Sequence, residues 1–78
     1  MLRINLELVP FGEENNKRSL GEMIIGNVGQ DDEGTYSYVV FLNKEEIGNV
    51  HRYERSKGPW QLVQQAIELL PPEKKKGL

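Results

Sequence analysis

The chain has 78 residues, with 10 basic and 12 acidic side chains, a formal net charge of −2 and no cysteine. That length implies one domain with a thin core. The charge balance excludes a polyanion binder driven by bulk charge, and the lack of cysteine excludes disulfides, thiolate metal sites and thiol nucleophiles.

Hydrophobic residues make up 37% and charged residues 28%, an ordinary globular composition. No apolar run approaches the roughly 20 residues of a membrane span. The segment MLRINLELVPFG alternates polar and apolar residues, unlike the apolar centre of a signal peptide. A cytoplasmic protein, with no membrane partner, is expected. A core this small without covalent staples needs good packing or a partner copy, so a homo-oligomer is expected.

In chain order, Met1 to Val9 alternates as a strand, with Leu2, Ile4, Leu6 and Leu8 on one face. Pro10 and Gly12 end it, and EENNKR is a polar loop. Ser19 to Val28 is a second strand, in which Gly21 and Gly26 suit a bulge or a close backbone contact. The loop NVGQDDEG follows. Thr35 to Leu42 is rich in β-branched and aromatic residues, and its end is apolar on both faces, as in a central strand. Tyr36, Tyr38, Val40 and Leu42 share one face. After NKEE as a turn, Ile47 to Arg55 is a fourth strand.

Gly58-Pro59 breaks that strand, and proline suits a helix start. Trp60 to Leu70 then forms an amphipathic helix, with Trp60, Leu62, Val63, Ala66, Ile67, Leu69 and Leu70 on its apolar half. Pro71-Pro72 stops it. The expected fold is α+β, a four-stranded antiparallel sheet with one C-terminal helix packed on a face, ββββα. Residues 1–72 form the domain and residues 73–78 a flexible basic tail.

Catalysis is hard to build from this inventory. His51 is the single histidine, and with Ser56 it shows neither an orienting third group nor a strained nucleophile turn. Asp31, Asp32 and Glu33 lack the alternating acids, central glycine and distal glutamate of a calcium loop, and they read as a solvated turn. GEMIIGNVGQ is not a dinucleotide fingerprint. No catalytic residue, metal or cofactor is expected.

The stretch VHRYERSKGPW concentrates what remains. On a regular strand His51, Tyr53, Arg55 and Lys57 share one side, and Arg52, Glu54 and Ser56 the other. Arginine grips phosphate in a bidentate fork, and tyrosine or tryptophan stacks on a base. The candidate binding residues are therefore Arg52, Tyr53, Arg55 and Lys57, with His51 and Trp60 behind them. The plainer readings are a charged edge strand for the stretch and a core or corner position for Trp60. Tyr36 and Tyr38 would form an exposed contact patch if the helix covered the opposite face. The Lys74–Lys76 run reads as a solvated tail.

LVPFG closing the first strand, GEMIIGNVG, YSYVV and GPW before LVQQAIELL recur in this order in a group of short phage and prophage proteins, which the chain resembles over nearly its whole length. The resemblance implies an accessory product of a mobile element that binds a host component, a virion component or a signalling nucleotide. The expected function is stoichiometric binding, either of a host defence protein or of a small anionic nucleotide ligand. The alternatives are a structural or assembly protein of the virion and a weak nucleic-acid-binding module.

Overall fold

The computed structural model describes residues 1–30 and 34–76. The acidic triplet considered above as a calcium loop lies outside them. Four strands, β1 (Leu2–Leu8), β2 (Arg18–Gln30), β3 (Tyr36–Leu42) and β4 (Glu45–Tyr53), precede the helix α1 (Pro59–Ile67) and a short helical turn, α2 (Pro72–Lys75). The strands pair antiparallel in the order β1-β2-β3-β4, so the sheet is a meander with β1 and β4 at its edges. This is the expected ββββα architecture, and β3 is central.

One face of the sheet meets the helix. Met23 and Ile25 of β2, Val40 and Leu42 of β3, and Val50 and Tyr53 of β4 are buried there against Leu62, Ala66 and Leu70. These three residues are spaced by four, as on one helix face, with Leu62 and Ala66 in α1 and Leu70 just beyond its end. The helix lies over the β4 side of the sheet. On β1, Leu2, Ile4, Leu6 and Leu8 remain half-buried.

Departures from regular pairing shape the sheet. β3 and β4 are joined by two residues, Asn43 (φ 51°) and Lys44 (φ 72°), the double left-handed turn whose twist matches a hairpin. The strand therefore begins at Glu45, two residues before the alternation suggested. Asn43 also ties the turn to β2, because its Oδ1 accepts from the Glu22 N–H at 3.0 Å and its own N–H donates to the Glu22 carbonyl at 2.9 Å. A Cβ at Gly21 would collide with the Asn43 side chain, so this close approach requires glycine.

The second glycine with a clear role is Gly48. Its φ is +155°, and a Cβ there would lie 3.1 Å from Leu69 Cδ2. Ile47 is an extra residue in the pairing with β3, since Val40 faces Gly48 while Phe41 faces Glu46. The bulge and the missing side chain together let the end of the helical segment settle on β4.

The α-helical hydrogen bonding stops earlier than the apolar pattern. Leu69 and Leu70 donate to Ala66 and Ile67, three residues back, which tightens the last turn before the prolines. Beyond α2, Arg18 donates to the carbonyl of Lys76 at 2.8 Å.

Candidate functional site

β4 carries the main correction to the sequence reading. Tyr36 of β3 faces Tyr53 and Tyr38 faces Val50, so His51 and Arg52 together oppose a single residue, Ser37. Arg52 takes φ +53° to allow this. The extra residue is a β-bulge, and it resets the alternation. Val50 and Tyr53 both face the core, with His51 and Arg52 exposed between them. The strand also ends at Tyr53, and Arg55–Lys57 form a 3-10 turn. His51, Tyr53, Arg55 and Lys57 thus do not share one strand face.

Tyr53 is only 3% exposed. Its hydroxyl donates to the carbonyl of Gly58, the residue preceding α1. A buried tyrosine hydroxyl needs such a partner, and this one pins the strand end to the helix start.

Tyr36 and Tyr38 lie on the helix side of the sheet with Val40 and Leu42, not as a patch on the opposite face. Tyr38 packs against the core. Its ring meets that of Tyr53 edge-on, with centroids 6.0 Å apart at 82°. The Tyr36 ring is tilted by 37° with its centroid 6.5 Å from that of Tyr38. Both separations fall in the range where aromatic pairs attract.

Arg55 closes this row. Its Nη1 donates to the Tyr36 hydroxyl at 3.3 Å, and its guanidinium carbon lies 5.7 Å from the ring centroid. That separation is near the outer limit of a cation–π contact. The guanidinium has five donors, and the bond to Tyr36 uses one.

These groups border an open cleft of about 250 Å³ lined by Tyr38, Tyr53, Arg55, Gly58, Pro59 and Leu62. Its walls are aromatic and aliphatic, and one end carries the exposed Arg55 head. A second concavity, about 320 Å³, lies on the other side of the helix start. Leu2, Ile4, Pro59, Trp60 and Val63 line it, and its surface is wholly apolar. Trp60 is 79% exposed. It holds neither a core nor a corner position, because at the first turn of α1 it falls towards β1, beyond the strands the helix covers.

Of the six residues singled out from the sequence, Tyr53 and Arg55 line the cleft and Trp60 lines the apolar concavity. His51, Arg52 and Lys57 are exposed and line neither. Gly58, Pro59 and Leu62 were not anticipated as site residues, and Tyr38 was considered only for a contact patch on the opposite face. The helix start brings Pro59 and Leu62 to the cleft, and the shared β3 face brings Tyr38. Among the described residues, no helix is long and apolar enough to cross a membrane. No family model, curated protein or solved structure matches the chain.

Proposed function

We propose that the protein acts by stoichiometric, non-catalytic binding, and that the cleft between β3, β4 and the start of α1 takes a small anion with a planar ring, such as a mononucleotide. The observation that carries this reading is the exposed Arg55 guanidinium held by Tyr36 beside a cleft walled by Tyr38 and Tyr53. Arginine supplies charge-assisted donors for phosphate, and the half-buried Tyr38 ring, backed by the buried Tyr53, offers a surface for a base. At about 250 Å³ the cleft is smaller than the roughly 300–1,000 Å³ of sites for drug-sized ligands, which favours a mononucleotide over a dinucleotide. The resemblance to phage and prophage proteins supplies a setting in which sequestering a host signalling nucleotide is useful.

The test is titration of the labelled protein with purine and pyrimidine mononucleotides, followed by backbone and tyrosine ring NMR shifts. Saturable shifts confined to Tyr36, Tyr38, Tyr53, Arg55 and Gly58 are expected. An unperturbed spectrum at millimolar nucleotide would reject the cleft as a nucleotide site.

A further inference from the structure

β1 is an edge strand, and among the described residues no strand pairs with its outer side. An open edge is a template for another strand, and proteins usually blunt it with charge, proline or a covering segment. β1 contains no proline and alternates without interruption from Leu2 to Leu8. Its charges have a particular arrangement. Arg3 and Glu7 lie at equal distances on either side of Asn5, and Leu2 and Ile4 mirror Leu8 and Leu6.

We infer that β1 pairs antiparallel with β1 of a second copy about a twofold axis through Asn5, joining two meanders into one eight-stranded sheet. In that register Arg3 faces Glu7 of the other copy, and the reverse pair repeats the contact. Leu2 faces Leu8 and Ile4 faces Leu6. Opposite charges directly across an antiparallel pair stabilise it and like charges destabilise it. The strand is therefore complementary to itself in this register. A slip by one residue would put Arg3 and Glu7 out of line and turn the leucines to the wrong side. A twofold contact also requires the same patch on both subunits, and this one provides it.

The surface beside the edge fits the same occupant. A twofold axis perpendicular to the sheet keeps both helices on one side. The apolar concavity of Leu2, Ile4, Pro59, Trp60 and Val63 then adjoins the half-buried Leu6 and Leu8 of the other copy. Trp60 would roof those leucines. An exposed tryptophan beside apolar neighbours is the composition of an interface centre. The Arg3–Glu22 contact inside one copy, at 3.8 Å with Arg3 64% exposed, is loose enough to yield to a cross-strand pair. Pro59 alone is shared with the Tyr–Arg cleft, and Arg3, Glu7 and Trp60 line no part of it, so self-association and ligand binding can fail independently.

Sedimentation equilibrium of the full chain between about 1 and 200 μM, with circular dichroism to verify folding, tests the proposal. A dimer is expected. Arg3→Glu and Glu7→Arg should each weaken it at least tenfold by setting like charges opposite one another. The double variant Arg3→Glu/Glu7→Arg should restore it, since the pair is merely exchanged. If a charge variant does not fold, cross-linking decides. The chain has no cysteine, so Asn5→Cys should oxidise to a covalent dimer and His51→Cys, on the far edge, should not. A monomer at all concentrations would overturn the proposal. So would a dimer indifferent to both single reversals, which would point to another surface such as the open sheet face, or a double variant that stays monomeric.

Discussion

The hydroxyl of Tyr53, the last residue of β4, donates to the carbonyl of Gly58, the residue that precedes α1. Four residues separate the two, and they hold the 3-10 turn that carries Arg55. The bond sets where the helix leaves the sheet and so defines one wall of the cleft. Tyr53→Phe keeps the ring and deletes the bond. It should destabilise the fold by about 1 kcal/mol, a typical net value for one buried hydrogen bond. Thermal unfolding should register a drop of roughly 4–8 °C for a domain of this size.

Gly48 lies beneath Leu69 in a backbone conformation that L side chains rarely adopt. Gly48→Ala should cost about 1–3 kcal/mol from strain alone, with displacement of Leu69 adding to it. Leu69→Ala in the same chain removes the steric part and leaves the backbone part. Urea unfolding of the two single variants and the double should therefore show a coupling of opposite sign to the single losses.

Asn43 combines a left-handed backbone with a side chain that accepts from the Glu22 amide. Asn43→Ala loses both and should cost about 1–2 kcal/mol in chemical denaturation. Asn43→Gly keeps the backbone freedom and should be the milder change. Equal losses in the two variants would contradict the part assigned to backbone conformation.

Arg55→Ala should weaken nucleotide binding at least tenfold, about 1.4 kcal/mol, in a calorimetric titration. Stability should change by no more than about 0.5 kcal/mol, because the side chain is exposed. Arg52→Ala and Lys57→Ala should leave affinity nearly unchanged, since neither residue lines the cleft. Equal losses at all three positions would indicate a diffuse electrostatic attraction in place of the cleft.

Trp60 and Leu62 stand two residues apart and should respond oppositely. Leu62→Ala empties a buried position and should cost about 2–5 kcal/mol of folding stability. Trp60→Ala should change monomer stability by about 0.5 kcal/mol or less. Trp60 is the only tryptophan, so its emission reports its surroundings directly. Dilute protein should emit like solvent-exposed indole, and emission should shift to the blue as concentration rises and the second copy covers the ring.

β1 and β3 were legible because they obey a period of two, whereas β2 buries Leu20 and Met23 three residues apart around an irregularity in its pairing. β1 keeps strict alternation along its length, and β3 announces its central place by being apolar on both faces near its end. The helix was legible from Leu62, Ala66 and Leu70. β4 was misread past Val50 because alternation assumes no extra residue, and nothing in HRY signals that Arg52 adopts positive φ. That one dihedral moved Tyr53 from a proposed binding face into the core. Trp60 was assigned inward by helical periodicity, which gives a direction but not the width of sheet that a nine-residue helix covers. Tyr36 and Tyr38 needed knowledge of which face the helix takes, and Val40 and Leu42 on the same face decided it.

The meander has a kinetic consequence. Each strand pairs with its neighbour in sequence, and the tightest connection is the two-residue turn at Asn43-Lys44. Bringing β3 and β4 together closes the shortest loop and so costs the least chain entropy. Hairpins of this kind form in about 1–10 μs. The hairpin would then offer the free edge of β3 to β2, with Asn43 already placed to receive the Glu22 amide. The turn would thus act as the seed from which the sheet grows towards β1.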